Sequence, residues 1–275
     1  MRKSKFAGSF YPLDKKILAD AIETFLKSAD PDIDKIRDSI AYVAPHAGYV
    51  YSGRTAAVSY KAIATRKGLS EIETIVVIGP NHTGKGFPIS ISMEDWKTPI
   101  GIAENDRELS REISKRSDYI KIDESAHEDE HSIEVQLPFI KHLFPDKRLV
   151  FICMGDQSLR ASELLSGAII SAANGLNRKI IIVASSDFNH YESAETARRK
   201  DTALFDAIKR LDAAAFNRLI GELDDSACGF GPITVAMLFA KQCGAKEGIL
   251  LKYSNSGDVT GDYSSVVAYS SIALV

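Results

Sequence analysis

The chain has 275 residues, 45% hydrophobic and 26% charged, which is an ordinary composition for a soluble globular protein. Its 34 basic and 37 acidic residues leave a formal net charge of −3, which provides neither a basic face for nucleic acid nor a polybasic patch for a membrane. No apolar run is long enough to span a bilayer, the basic start is not followed by a signal-peptide core, and three widely spaced cysteines favour a reducing compartment, so we expect a cytoplasmic protein.

Helical and strand-like hydrophobic patterns alternate along the whole chain. The predicted helices cover residues 14–28, 54–66, 106–115, 132–143, 159–173, 194–211, 213–223 and 233–243. The predicted strands cover residues 40–44, 74–79, 149–154, 179–185, 248–254 and 265–274, with a β-rich stretch at 88–103. Strands separated by helices imply a mainly parallel sheet with helices on both faces. No repeat or linker divides the chain, so the sequence predicts one α/β domain over residues 1–275, with its last two strands as a possible edge hairpin.

Three apolar strands end in the same way, with a histidine a few residues beyond the last apolar position. His46 follows the first strand, His82 the second, and His190 the strand at 179–185. Open α/β sheets bind ligands beyond the carboxyl ends of their strands, so these equivalent positions predict one shared site. Neutral imidazole is a common ligand of iron, copper and zinc, which makes His46 and His82 a natural first pair of metal ligands.

Asp187 and His190 lie three residues apart in the third of these loops. One of them could bind the metal, or His190 could act as a general acid or base while Asp187 fixes its tautomer. The alternative interpretation is structural, with Asp187 capping the next helix.

Cys228 lies in a glycine-rich turn before a predicted helix. A thiol near a helix N-terminus has a lowered pKa, so we expect Cys228 to be suited to metal binding or redox chemistry. Cys153 lies within an apolar strand and Cys243 near a helix end, and both are expected to be inert core residues.

The string from His127 to His131 matches the zinc-protease pattern H-E-x-x-H, which requires both histidines on one face of a continuous helix. Here the segment is acidic and precedes the predicted helix, so the pattern does not favour a protease. His131 remains a candidate pocket residue, whereas His127 and His142 are predicted to lie at the surface. The aromatic side chains of Phe10, Tyr49 and Tyr51 could line a pocket or belong to the core.

Six motifs in order along the chain resemble the Memo family. They are residues 7–12 (AGSFYP), 45–53 (PHAGYVYSG), 79–82 (GPNH), 130–134 (EHSIE), 185–191 (SSDFNHY) and 228–233 (CGFGPI). The resemblance runs from about residue 6 to the C-terminus. It implies a single Memo-like domain with a fold similar to that of class III extradiol non-haem iron dioxygenases.

The resemblance also implies roles for individual residues. In those dioxygenases two histidines and a glutamate hold Fe(II), and another histidine is the acid or base. Carried over, His46, His82 and Cys228 would be the metal ligands, and Asp187, His190 and His131 would complete the pocket. We expect His190, Asp187 and His131 to be the catalytic residues. Phe10, Tyr51 and Asn81 are the candidate substrate-binding residues. A thiolate in place of the glutamate makes the site softer, better suited to copper or zinc and more easily oxidised.

The leading hypothesis is a metal-dependent oxidoreductase that uses iron or copper, with zinc as a further possibility. The alternative is an inactive binding module that recognises a peptide or small ligand in the same pocket, and a third interpretation is a zinc hydrolase dependent on Glu128. The resemblance to prokaryotic members implies a functional link to radical-SAM and AMMECR1-like proteins. Assembly into a homo-oligomer is left open.

Overall fold

A computed structural model describes all residues from 1 to 275. The α-helices are α1 (Lys15–Lys27), α2 (Ile33–Ile36), α3 (Tyr49–Thr65), α4 (Arg107–Ser114), α5 (Leu137–Leu143), α6 (Leu159–Gly175), α7 (Ala194–Lys209), α8 (Ala213–Glu222), α9 (Phe230–Gln242) and α10 (Gly257–Thr260). The strands are β1 (Ala41–Ala44), β2 (Thr74–Pro80), β3 (Ile89–Ser92), β4 (Trp96–Lys97), β5 (Ile102–Ala103), β6 (Ile120–Ile122), β7 (Arg148–Met154), β8 (Ile180–Ser185), β9 (His190–Glu192), β10 (Gly248–Asn255) and β11 (Val266–Leu274). Two 3₁₀ turns, Leu69–Glu71 and Glu134–Gln136, complete the secondary structure.

Nine strands form the main sheet, in the order β10-β11-β1-β8-β2-β7-β3-β6, with β9 beside β11. The four central strands β1, β8, β2 and β7 run parallel to one another. Antiparallel pairs occur towards the edges, where β11 pairs with β1 and β10, and β3 pairs with β7. This topology confirms the predicted α/β fold and the hairpin of the last two strands.

The central strands are buried on both faces, as continuous apolar runs predict for parallel strands between two helical layers. Alternate residues of β2 enter different cores: Val76 and Ile78 pack with α4, α6, α7, α8 and α9. Ile75 and Val77 pack on the opposite face with α1, α2, α3 and α5. None of the helices combines the length and the apolar character needed to cross a membrane.

Two helix boundaries near the candidate site differ from the prediction. The helix predicted at 54–66 begins at Tyr49, directly after the His46 loop, because the backbone N–H of Tyr49 donates to the backbone oxygen of Phe10. Gly53 lies within this helix, close to the Phe25 ring. The helix predicted at 132–143 is regular only from Leu137. Pro138 occupies its first turn, where the N–H that a proline lacks would have no acceptor within the helix. Before this helix, Glu134–Gln136 form only a 3₁₀ turn, and His131 lies in the loop that precedes this turn.

The parallel strands deliver several loops to one edge of the sheet. Their carboxyl ends lead to His46 after β1, to His82 after β2 and to Asp187 after β8. Because β2 and β1 both pair with β8, residues that are far apart in the sequence meet at this edge.

Candidate metal centre

Three imidazoles form a compact cluster at this edge of the sheet. One ring nitrogen from each of His46, His82 and His131 lies within 4.8 Å of the others. The ring centroids of His46 and His82 are 5.3 Å apart, and the His131 ring stacks on His82 at 4.6 Å. The sequence paired His46 with His82 and placed His131 in the pocket, and the structure brings all three rings together.

Glu130 orients His82. This fully buried carboxylate accepts hydrogen bonds from the backbone N–H of His82 at 2.5 Å and from its Nδ1 at 2.9 Å. Burial alone would raise the pKa of Glu130, but the bonds from His82 and from the Ser132 N–H lower it to about 2. An ionised carboxylate only accepts, so Nδ1 of His82 carries the proton and Nε2 is left free for a metal. Glu130 belongs to the motif at residues 130–134, but the sequence alone does not indicate this role.

A serine orients His46. The Oγ of Ser185 donates to the backbone oxygen of Ser132 at 2.7 Å, so towards Nδ1 of His46, 2.9 Å away, it can only accept. Nδ1 of His46 therefore carries the proton, and its Nε2 has a free lone pair. Burial, followed by the neighbouring imidazoles, holds the pKa of His46 well below its usual value, so the ring is in the neutral form that binds metals.

His131 is the third imidazole, and the amino-terminal segment covers it. The rings of Phe6 and Phe10 lie 5.6 and 4.8 Å from its centroid. Burial lowers the pKa of His131 to about 4, against the opposing charge of Glu130. The ring is therefore neutral at physiological pH.

Cys228 lies beside the cluster, on the turn that precedes α9. Its Sγ is 3.2 Å from Nε2 of His46 and 3.3 Å from the backbone nitrogen of Asp187, whose N–H points at the sulfur. Burial raises the pKa of the Cys228 thiol well above its usual value, and the Asp187 carboxyl raises it further. The expectation that the helix N-terminus lowers the pKa of this thiol is wrong, because burial outweighs the helix.

Asp187 joins two of the site loops instead of capping a helix. Its Oδ1 accepts from the backbone N–H groups of His46 at 2.8 Å and of Ala47 at 3.3 Å. Burial raises the pKa of Asp187 to about 7, although these two N–H groups act in the opposite direction. The side chain thus fixes the loop after β1 against the loop after β8.

His190 lies at the start of β9 and has a defined tautomer. Its Nδ1 is 3.0 Å from the backbone oxygen of Ser226, which can only accept, so Nδ1 carries the proton and Nε2 is unprotonated. Burial lowers the pKa of His190 below its usual value. His190 is thus a neutral ring with a lone pair available on Nε2.

A cavity of about 580 Å³ opens beside the cluster. Its lining includes Phe10, Tyr51, His131, Asp187 and His190, five residues that the sequence assigned to the pocket. Asn81 is not part of this lining, because its Oδ1 accepts from the residues 83 and 84 and its Nδ2 donates to residue 85 within its own loop. Tyr49 is a core residue, 3% exposed.

The other histidines and cysteines lie away from the cluster. His127 is fully buried against Trp96, so its predicted surface position is wrong. The segment from His127 to Asp129 forms a turn and not a helix, which removes the geometry of the zinc-protease motif. The His142 ring, 18% exposed, binds Glu23. Cys153 is buried as predicted, whereas Cys243 is exposed and not a core residue.

The donor set fits a transition metal. Three neutral imidazoles with a neighbouring thiol are the nitrogen and sulfur donors that iron, copper and zinc accept, whereas magnesium and calcium require a shell of oxygens. The histidine cluster could therefore hold a metal ion of the first group.

Comparisons with known proteins agree with the six motifs. The profile of the Memo-like protein family matches residues 2–273. The chain is 40% identical over 274 residues to a MEMO1 family protein of Methanosarcina barkeri, covering 99% of each chain. It is 38% identical over 280 residues to a MEMO1 family protein of Nitrosopumilus maritimus, covering 100% of each.

A solved structure shares the fold at low sequence identity. The crystal structure of an uncharacterised protein from Escherichia coli K12 has a TM-score of 0.52 and 13% identity, covering 85% of this chain and 99% of that one. At this identity the likeness concerns the fold alone. The family match and the full-length relatives together show that the chain belongs to the Memo family.

Proposed function

We propose that this protein is a metal-dependent redox enzyme that binds iron or copper and acts on a small organic ligand in the adjacent cavity. The observation that carries the proposal is the convergence of the three imidazole nitrogens of His46, His82 and His131 within 4.8 Å. Two of these rings have their Nδ1 protons held by Glu130 and Ser185, so the lone pairs on Nε2 are oriented before any metal arrives.

His46 and His82 are the primary ligands in this proposal, and Cys228 is the sulfur ligand. The thiol contacts Nε2 of His46 and would release its proton on binding a cation, because a coordinated thiol is deprotonated outright. His131 lies within reach of the same ion and also lines the cavity. Iron or copper bound here would supply one-electron chemistry.

The remaining residues bind the ligand and move protons. His190 presents the lone pair on Nε2, since Ser226 fixes the proton on Nδ1, and this makes it the candidate general base. Asp187 holds the backbone of His46 and also lines the cavity. Phe10 and Tyr51 provide aromatic walls for the ligand, whereas Asn81 would act by shaping the His82 loop.

The test is anaerobic reconstitution of protein purified without a histidine tag. The protein is dialysed separately against Fe(II), Cu(I) and Zn(II), and bound metal is counted by elemental analysis before and after exposure to oxygen. We expect about one ion per chain in the wild type and in a His142→Ala control, and loss of binding in the His46→Ala/His82→Ala variant. Iron or copper that binds should change oxidation state in oxygen, as followed by electron paramagnetic resonance. A wild-type protein that retains no transition metal would contradict the proposal.

A second candidate function is a binding module without turnover. The exposed rings at the mouth of the cavity favour it, since Tyr51 is 44% exposed and Tyr191 is 81% exposed. This alternative predicts that binding of a peptide or small ligand survives a chelator, whereas the redox proposal predicts that turnover does not. A hydrolase based on Glu128 has no structural support, because its partner His127 is buried elsewhere. The link to radical-SAM and AMMECR1-like proteins stays a prediction.

A further inference from the structure

Two buried aspartates lie behind the site, outside the cavity and outside the imidazole cluster. Asp201 on α7 is fully buried, and Asp225, in the loop that leads to Cys228, is 8% exposed. Asn189 contacts both carboxyl groups, and a side-chain hydrogen bond joins the two. Two ionised carboxylates cannot remain in contact away from water, so the pair needs either a shared proton or a bound cation.

The remaining hydrogen bonds of the pair come from neutral donors. The Tyr253 hydroxyl donates to Oδ2 of Asp201 at 2.6 Å, and the backbone N–H of Asn189 donates to its Oδ1 at 3.3 Å. Oδ1 of Asp225 accepts from the backbone N–H of Ala227 at 2.9 Å, and its Oδ2 is 3.4 Å from Nδ2 of Asn189. No lysine, arginine or histidine pairs with either carboxyl group.

The nearest charged side chains are occupied by other partners. Lys200 of α7 pairs with Glu192 of β9 at 3.0 Å and also donates to the backbone of the neighbouring Asp224. The guanidinium of Arg198 lies over the Tyr253 ring of β10, 4.4 Å from its centroid. Burial, followed by the charge of its partner, raises the pKa of Asp201 to about 8, and burial also raises the pKa of Asp225.

The pair joins the two loops that carry the candidate catalytic groups. Asn189 directly precedes His190, and Ala227 directly precedes Cys228. The two loops are also joined directly through Ser226. The backbone N–H of His190 donates to Oγ of Ser226 at 2.7 Å, and Nδ1 of His190 donates to the Ser226 carbonyl at 3.0 Å. The orientation of the His190 ring therefore depends on how closely the two loops are held.

We propose that Asp201 and Asp225 share one proton, and that this shared proton holds the His190 loop against the Cys228 loop. Both aspartates are then positioning residues, since neither touches the cavity. When the proton is lost at alkaline pH, two negative charges face each other, the loops separate, and His190 loses the carbonyl that fixes its tautomer. The role of His190 rests on the proposed function, whereas the shared proton does not.

The test follows the tautomer of His190 by long-range ¹H–¹⁵N spectra of the full chain, with the ring signals assigned through His190→Gln. The pH is raised from about 6 to about 9.5, across the range in which a raised carboxyl pKa would be passed. The key variant is Asp201→Asn, which keeps the size of the side chain and donates a hydrogen that does not titrate. Asp225→Asn serves the same purpose if the first variant does not fold. Asp206→Asn is the control, because it is exposed on the same helix.

We expect the wild type and the control to show one Nδ1–H tautomer at neutral pH and a mixture above about pH 8. Asp201→Asn should keep the single tautomer to the end of the titration. An identical transition in that variant would overturn the shared proton, and a wild-type tautomer that never changes would overturn the positioning role. A melting temperature that Mg²⁺, Ca²⁺ or Mn²⁺ raises in the wild type but not in Asp201→Asn would overturn the shared proton, because a cation would then occupy the pair. Metal binding at the histidines is measured separately, so its failure would affect the proposed function alone.

Discussion

Glu130 provides the sharpest test of how the candidate metal centre is organised. Its carboxylate accepts both the backbone N–H and the Nδ1 of His82, together with the backbone N–H of Ser132 at 2.8 Å. In Glu130→Gln one of these oxygens becomes a donor, so at least one of the three donors loses its acceptor and the tautomer of His82 is no longer imposed. The ring would then present its protonated nitrogen to the metal for part of the time.

The expected loss can be given as a range. Carboxylates that orient a ligating histidine contribute about 10-fold to 100-fold to metal affinity, which is about 1.4 to 2.7 kcal/mol. Because Glu130 is fully buried and lies 3.4 Å from Nδ1 of His131 as well, we expect a result near the upper end of this range. The number of metal ions bound at saturation should not change, since no ligand is removed.

The assay is a competition titration in which a coloured chelator and the protein share a limiting amount of Zn²⁺, which avoids redox side reactions. Glu128→Gln is the matched control, because that glutamate lies two residues away and is exposed. Circular dichroism confirms that both variants are folded. Equal zinc affinities for Glu130→Gln and the wild type would refute the reasoning, and so would an equal loss in both variants.

Three further predictions concern stability. Glu134→Ala leaves the buried Arg2 without its ion-pair partner and should lower the free energy of unfolding, measured in urea, by about 3–5 kcal/mol. Glu94→Ala removes an exposed ion pair with the N-terminus and should have little effect. Burial lowers the pKa of His127 from 6.5 to about 3, so the unfolded chain takes up the proton first and stability is lost as the pH falls below about 6.5. In His127→Phe the melting temperature should therefore fall less steeply with decreasing pH, and an unchanged slope would contradict this prediction. Gly79→Ala places a Cβ against the Ser132 hydroxyl and should lower the free energy of unfolding by about 1–3 kcal/mol. Gly167→Ala, in open space on helix α6, should raise it by about 0.5–1 kcal/mol, and equal effects of the two variants in urea would contradict the close contact at Gly79.

The parts of the site that follow regular strands could be predicted from the sequence. The apolar runs that become β1, β2 and β8 are continuous, as strands buried on both faces require, and parallel strands must direct their carboxyl ends to one edge. His46, His82 and Asp187 follow from that rule alone. The boundaries of the helices were less predictable, because Tyr49 begins its helix through a tertiary contact with the backbone of Phe10.

The loop between β6 and α5 could not be predicted in the same way. Its path depends on single contacts, such as the hydrogen bond from Oγ of Ser132 to the backbone oxygen of Pro80 at 2.9 Å. The acidic residues around His127 suggested exposure, but the turns point Glu128 outwards and His127 into the core. The thiol pKa of Cys228 was mispredicted because proximity to a helix can be inferred from sequence, whereas the burial that opposes it cannot.

The most direct test of the central claim is a crystal structure of untagged protein reconstituted with iron or copper, with anomalous diffraction recorded on both sides of the metal absorption edge. We expect one anomalous peak per chain, within bonding distance of the imidazole nitrogens of His46 and His82 and next to the Cys228 sulfur and the His131 ring. An anomalous peak elsewhere in the molecule, or no peak in protein that was supplied with the metal, would contradict it.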